Sequence, residues 1–436
     1  MIDIKTKIHD AFSIEFKVGF KPRIENPRAD FNVRMWIFIP NSLDINHSTY
    51  SKTDFYRDVK SNIRLVTPAY RLEDIALGPA EPVHAVLNSA EQDYEYELRV
   101  FSAIVKSSLR DCTGLTDAEY VEAIEAIFKA FYGFKDCQTR KLCGEFLCNI
   151  CSQFAFKRIE NGGDKKLLTG LILEIDNIRT RNGYVTVAPG RNESNYEYVH
   201  RQSVLKKYVE SPFYLRVPKK KDGIIAEQAY YSVAAGLAML FATIVAWAFQ
   251  RRFGNLTWPL FIALIISYMM KDRIKELMRY YFAHRVGSKY FDNKATISFK
   301  GEKIGTLKEG MDFIPISKVP EEILELRNRQ RSFDVESRVP DEKVILYRKS
   351  VKVDRDINDI IRFQVTSLLR KMDNPLKPVK ALDADGNVTD VLCVKDYHVN
   401  IVLQYEQEGE TDFKHFRVYI TREGIQRIEE IVLPLH

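Results

Sequence analysis

The chain lacks the short signatures that name a reaction. There is no G-x4-G-K-[ST] or G-x-G-x-x-G loop to cradle phosphates, and no H-E-x-x-H, G-x-S-x-G or paired C-x-x-C. Their absence counts against the common nucleotide-binding, zinc-protease and serine-hydrolase classes. Internal repeats, coiled-coil heptads and low-complexity tracts are missing too. Cysteine is scarce: Cys112, Cys137, Cys143, Cys148, Cys151 and Cys393 sit in hydrophobic surroundings in a chain of 436 residues. That suits reduced thiols better than a disulfide framework. The opening MIDIKTKIHDAF carries no apolar run before a small-residue cleavage site, so no signal peptide is expected.

A broadly spread basic surface is missing as well. The net charge of +6 comes from 65 Lys/Arg and 59 Asp/Glu. Segments 206–228 and 271–290 hold 12 of those bases and 5 of those acids, which leaves 53 and 54 for the rest. A nucleic-acid binder more often distributes its positive charge over a folded domain, so no nucleic-acid partner is expected. The surplus flanks two apolar runs, and that position points to a bilayer with anionic headgroups as the partner.

What is present is mostly globular material. An apolar fraction of 45%, a charged fraction of 28% and a mean hydropathy of -0.25 describe a soluble chain with a small membrane insert. From 228 to 250 there is no charge over 23 residues, about 34 Å of helix against a hydrocarbon core of about 30 Å. A second uncharged run covers 18 residues, 253–270, or about 27 Å. Pro259 fits the first turn of that helix, and Gly254-Asn255 supplies the turn between the two. Tyr230, Tyr231, Trp247, Trp258 and Tyr268 lie towards the run ends, as interfacial aromatics do. Arg216, Lys219, Lys220 and Lys221 precede the pair, and Lys271, Arg273, Lys275, Arg279, Arg285 and Lys289 follow it. Only Arg251 and Arg252 occupy the turn, so the excess of bases predicts two spans with both termini cytoplasmic, in an inner or plasma membrane.

The fold class expected is an α+β membrane protein. A two-helix transmembrane hairpin separates an N-terminal strand-plus-helical-bundle domain from a C-terminal α+β domain. The divisions run at 1–88 (β-rich), 89–222 (helical, with the juxtamembrane approach), 223–285 (hairpin and stalk) and 286–436 (α+β). FSIEFKVGF alternates as a half-buried strand, NVRMWIFIP reads as a strand buried on both faces, and NIRLVTP as a third. Capping-box spacing at Ser89/Gln92 and Thr116/Glu119 opens two helices. Helices are also read over the segment with Leu142, Phe146, Ile150 and Phe154 and over KKLLTGLILEIDNI. KATISFKGEKIGTL predicts a strand pair turning at Lys300-Gly301. In DINDIIRFQVTSLLRKM, Ile357, Ile360, Ile361, Val365, Leu368, Leu369 and Met372 form a helical stripe ending before Pro375. VLCV, HVNIVLQY and HFRVYI read as strands, and REGIQRIEEI as a closing helix.

Four constellations could carry chemistry. Cys143, Cys148 and Cys151 have C-x4-C-x2-C spacing, but they fall in a helical pattern rather than the glycine-rich loop that an iron-sulfur cluster needs. No metal or cofactor is expected. DADGNVTD, 383–390, lacks the Glu of a calcium loop and reads as a hairpin turn at Asp385-Gly386. Arg279 and His284 share an R-x4-H spacing that could serve phosphoester cleavage, against which stands their place among headgroup-facing bases. Asp373, Asp396 and His398 could form an acid-base site if the helix end and strand start meet.

These readings leave three classes of function. A non-enzymatic scaffold or sensor would use the hairpin to hold its domains, an unidentified protein partner and possible homo-oligomers at the membrane. A tethered hydrolase or nuclease would use the candidates just named. A membrane-permeabilising effector would assemble its hairpins through Gly236 and its neighbours Ala234, Ala235 and Ala238. No ionisable residue lines either run, which disfavours an ion pathway.

Overall fold

A computed structural model describes residues 2–22, 29–77, 81–112, 114–187, 190, 192–254, 257–281, 291–329, 342–407 and 409–432. The chain forms two compact units, Met1–Ile63 with Leu215–His436 and, between them in sequence, Arg64–Tyr214. Residues 1–63 of the range read as 1–88 and the range 286–436 therefore belong to one body, and 64–88 to the other.

In the first unit the strands are β1 (Ile2–Asp10), β2 (Ser13–Phe20), β3 (Ala29–Pro40), β4 (Val59–Leu65), β5 (Lys219–Lys221), β6 (Asn293–Phe299) and β7 (Glu302–Ile314). They continue as β8 (Glu342–Val353), β9 (Ile357–Gln364), β10 (Leu376–Leu382), β11 (Val388–Val394), β12 (Tyr397–Gln407), β13 (Glu410–Thr421) and β14 (Gly424–Ile431). Eight of them make an antiparallel sheet in the order β14-β13-β12-β3-β8-β7-β6-β5. A second sheet runs β1-β2-β9-β4, and β10-β11 stands as a hairpin apart from both. N-terminal β3 lies between C-terminal β12 and β8, paired with β8 from Ala29 to Pro40 and with β12 from Phe31 to Phe38. That central place explains why NVRMWIFIP is apolar on both faces.

The two sheets pack face to face. Phe16 meets Phe416 at 5.9 Å and Phe20 meets Phe31 at 5.1 Å between ring centroids. The other face of the large sheet carries Trp36, Phe38, Val344, Leu346 and Val402. These are covered by Ile323 and Leu326 of the short helix 321–328. The β6–β7 turn falls at Lys300-Gly301 as the sequence predicts, with φ of 47° and 90°.

Two segments read as helices are strands. The stripe 357–372 begins as β9, where Ile357, Asp359, Ile361 and Phe363 point inward and only 366–369 is helical. Ile357 and Ile361 satisfy both a helical and an alternating pattern. The β-branched residues and the free edge of β2 decide for the strand. REGIQRIEEI is likewise β14, paired with β13 from His415↔Ile431 to Thr421↔Gly424.

Helices are numbered α1 (Lys52–Asp58), α2 (Asp74–Leu77), α3 (Glu81–Leu87), α4 (Tyr94–Asp111), α5 (Asp117–Tyr132), α6 (Gln138–Glu160), α7 (Lys165–Asn182) and α8 (Asn192–Glu210). The series ends with α9 (Ile224–Phe253), α10 (Trp258–Tyr281), α11 (Glu321–Asn328) and α12 (Thr366–Leu369). The second unit is a helical bundle, α2 to α8, around Phe101, Tyr120, Phe131, Leu147 and Ile175. Thr116 caps α5 in the expected box with Glu119. The other capping-box spacing does not start a helix at Ser89: α4 begins at Tyr94 behind Asp93, and the Ser89 hydroxyl donates to Val86 O.

Helices α9 and α10 are antiparallel partners. Tyr230 reaches Met278 at one end of the pair, and Ser267 donates to Ala242 O further along. Ala234, Ala238, Ala263 and Ser267 are buried in the seam, so small side chains let the backbones approach. Gly236, expected to join that seam, faces outward with nothing within 4 Å of a Cβ added there. The outer faces are apolar: Leu240, Ile244, Phe261, Ile262 and Ile266 are all exposed. Among the described residues one helix, within Glu227–Phe253, is long and apolar enough to cross a membrane, with mean hydropathy 2.0 and only 11% of that window buried. A helix serving as a soluble core would be mostly buried. The second run has fewer helical residues than its 18 uncharged positions suggested. Its helix starts only at Trp258, so 13 residues, 258–270, precede Lys271, or about 20 Å.

Candidate functional site

A cavity of about 1310 Å³ lies in the first unit at the root of α9. Its walls come from α1, from Asp222, Gly223, Glu227 and Tyr231 at the start of the helical pair, and from the ends of β6, β7 and β8. Local chemistry sets each wall. Ser51 and Asp54 close a capping box that starts α1 and points Lys52 and Tyr56 inward. Gly223, at φ 72°, takes the left-handed conformation needed to turn the chain from β5 into α9.

Asp292 is the hub. Its carboxylate accepts from Lys52 Nζ at 2.6 Å, Tyr56 OH at 2.8 Å and the Met311 amide at 2.7 Å. Its carbonyl accepts from the Asp222 amide at 3.1 Å. Asp312 holds Arg348 at 2.6 Å and lies 3.5 Å from Lys52, and the Arg348 guanidinium covers the Phe291 ring. Burial, reinforced by Asp292, lifts the Tyr56 hydroxyl far above its ordinary range, so it stays protonated and donates. The cavity therefore presents fixed charges of both signs. It offers ionic and hydrogen-bonding recognition.

Behind the cavity the polar network continues between the sheets. Lys349 of β8 and Asp359 of β9 form an ion pair with both side chains fully buried. Ser61 of β4 accepts from Lys349 at 2.7 Å and donates to Asp359 at 2.7 Å. Beside Lys349 in the sheet, Glu309 takes Lys219 at 2.7 Å, Asn293 at 3.0 Å and Tyr347 at 3.0 Å. Burial alone would raise the Glu309 pKa, but Lys219 and Lys349 hold it below the usual carboxylate value.

The residues singled out in the sequence fall elsewhere. Asp373 pairs with Lys395 and accepts from Tyr397 OH at 3.2 Å. His398 projects from the opposite face of β12, against the Tyr419 ring at 4.6 Å, and lies 3.5 Å from Asp396. The fold thus joins Asp396 to His398 but sends Asp373 into a separate ion pair, and the three-residue acid-base site is not assembled. Arg279 stacks over Tyr231 at 5.1 Å, and His284 lies outside the described residues. Cys143, Cys148 and Cys151 are buried along α6, and burial pushes the first two thiols up to about 12, away from the thiolate form metals bind. Among the described residues no group of three His, Cys, Asp or Glu side chains is placed to hold a metal ion. Asp383 closes the β10–β11 turn by accepting from the Asp385 and Asn387 amides.

Of the basic flank, Arg216 bridges to Ser298, Lys219 to Lys221 form edge strand β5, and Lys221 meets Glu227 at 2.9 Å. Lys271 Nζ sits 3.8 Å above the Tyr268 ring, Arg273 meets Glu276, and Lys275 is half-buried. Trp247 and Trp258 are exposed. The cavity residues escaped sequence reading because Lys52, Tyr56, Asp292, Asp312 and Arg348 come from three distant stretches with no common motif. Comparison with protein-family models, with curated proteins and with solved structures finds no match to this chain.

Proposed function

We propose that this protein is a non-enzymatic membrane-anchored scaffold or sensor. The α9–α10 pair crosses the bilayer and returns, keeping both folded units on one side, and the cavity at its root takes a polar ligand. The observation that carries this reading is a pairing. Strand β5, just before α9, is hydrogen-bonded antiparallel to β6, just after α10, as Lys221↔Asn293. If α9 crosses, the chain has to come back to the same sheet edge, so α10 crosses too. Its uncharged part is short, but Lys271 lies along the Tyr268 ring and can extend its ammonium to the headgroup layer. Exposed apolar side chains on every outward face of the pair support lipid rather than water as the surroundings.

Ultracentrifugation without detergent tests the anchor. Wild type is expected in the pellet, and Leu240→Arg with Ile244→Arg shifts it towards the supernatant. A wild-type protein that remains soluble overturns the reading. Orientation is tested by maleimide labelling of intact cells. Asn255→Cys should react from outside, and Cys393 only after the membrane is opened; the reverse pattern refutes the stated topology.

A further inference from the structure

The charges around the cavity at the root of α9 do not cancel. Four carboxylates line it, and each is matched within the protein. Asp292 holds Lys52, Asp312 holds Arg348, Glu227 holds Lys221 at 2.9 Å, and Asp222 lies 3.6 Å from Lys308. Of the five bases on the lining, three are used in those pairs, and Arg57 is taken by Asp54 of its own helix at 2.9 Å. Lys318 is left over: among the described residues its ammonium meets no carboxylate. Thr53 and His47 add a hydroxyl and a ring nitrogen to the lining, with His47 resting on Phe313 at 4.5 Å. An unmatched lysine on an open surface is ordinary. At a concave site whose acids are all neutralised, it sets the sign of the ligand as negative.

Position indicates where such an anion comes from. Glu227 and Tyr231, near the start of α9, belong to the lining, and the uncharged run of that helix begins at 228. In the arrangement proposed above, this part of the cavity lies level with the lipid headgroups. Arg279, on the returning end of α10, stacks over Tyr231 at 5.1 Å and brings a further base to that level. Phe291, Phe313, Ile314 and Leu346 supply apolar wall. The volume of about 1310 Å³ exceeds the roughly 300–1,000 Å³ of most ligand pockets, which suits an organic anion better than a bare ion. We propose that this cavity binds an organic phosphate, supplied by the headgroup of an anionic phospholipid, and that Lys318 is the base that meets it. Basic pockets beside membrane helices take such headgroups. The inference rests on the reading of the cavity as a ligand site, and a soluble phosphate ester carries the same chemistry.

The test is the thermal unfolding midpoint of the full chain in nonionic detergent. It is titrated with dihexanoyl phosphatidylglycerol, dihexanoyl phosphatidylcholine, glycerol 3-phosphate, succinate and spermine. If the protein proves soluble, the same titrations are run in buffer with the lipids below their micelle concentration, so loss of the anchor leaves the test intact. Phosphatidylglycerol is expected to raise the midpoint saturably, glycerol 3-phosphate more weakly and phosphatidylcholine little. Lys318→Glu should raise the half-saturating concentration about tenfold. Lys303→Glu, the same charge change at another exposed lysine, should leave it where it was. A glycerol 3-phosphate response equal to that of phosphatidylglycerol overturns the membrane source. A response to succinate or spermine alone overturns the phosphate and leaves the cavity a ligand site, whereas no response to any probe removes both. Equal losses in the two lysine variants reduce the effect to net charge and overturn the proposal as well.

Discussion

Replacing Lys349 by methionine removes one half of an ion pair that has no exposed surface. Lys349 and Asp359 tie the two sheets together, and Ser61 hydrogen-bonds both. Breaking such a pair from one side leaves a charge in a dry interior and costs about 3–5 kcal/mol. An independent limit follows from protonation: neutralising an ordinary aspartate at pH 7 costs about 4 kcal/mol, and the Ser61 hydrogen bond returns about 1. A loss of about 3–4 kcal/mol is therefore expected. The double variant Lys349→Met/Asp359→Leu removes both charges and should come back to within about 1–2 kcal/mol of wild type. The chain has three tryptophans, so Trp247→Phe and Trp258→Phe leave Trp36, buried in β3, as the sole reporter of the large sheet. Urea unfolding of the wild type, Lys349→Met, Asp359→Leu and the double variant in that background, followed by Trp36 emission, yields the cycle. A single-variant loss under about 1 kcal/mol, or a double variant no better than Lys349→Met, would refute the account of the buried pair.

Three further outcomes are expected. Gly424→Ala should destabilise the first unit by about 1–3 kcal/mol, because φ is 139° and a Cβ would lie 2.4 Å from Ala11 O; an unchanged urea midpoint contradicts this. His415 is buried between Asn400 and Arg417, and burial, with Arg417 and Arg327 adding to it, pulls its pKa from 6.5 down to about 4. The unfolded chain then binds the extra proton between those values. Its stabilising share is complete above pH 6.5 and falls by about 3 kcal/mol on acidification to pH 4, and His415→Gln should flatten that part of the stability profile. Thr116→Ala removes the α5 cap and should cost about 1 kcal/mol in the second unit, read by amide hydrogen exchange over 117–120. Equal exchange in both proteins would count against it.

Local periodicity made much of this fold legible. FSIEFKVGF, NVRMWIFIP and the Lys300-Gly301 turn announce themselves because alternation and turn chemistry act over a few residues. The apolar stretch of α9 is legible for the same reason. Partners separated by hundreds of residues leave no local trace. Nothing near Trp36 indicates that β3 sits beside β12, and nothing near Lys52 points to Asp292. The buried pair left a faint sign, a lysine and an aspartate in step with the apolar positions of the alternating stretches VILYRKSV and INDIIRF. A charge in such a run reads equally well as a solvated face until the opposing sheet is known. The two strands mistaken for helices, β9 and β14, fail in the same way: the neighbour that claims each lies outside any sequence window.

The three-residue ladder between β5 and β6 closes over some seventy residues of intervening chain. Closing so long a loop at random would cost about 4 kcal/mol, more than the few hydrogen bonds of a three-residue ladder comfortably hold. The antiparallel helices hold the two ends close together, which offsets that cost. From the sheet's side the whole excursion is one oversized turn between neighbouring strands. Such an insertion is detachable: a short link in its place would leave the sandwich its own hydrogen-bonding pattern.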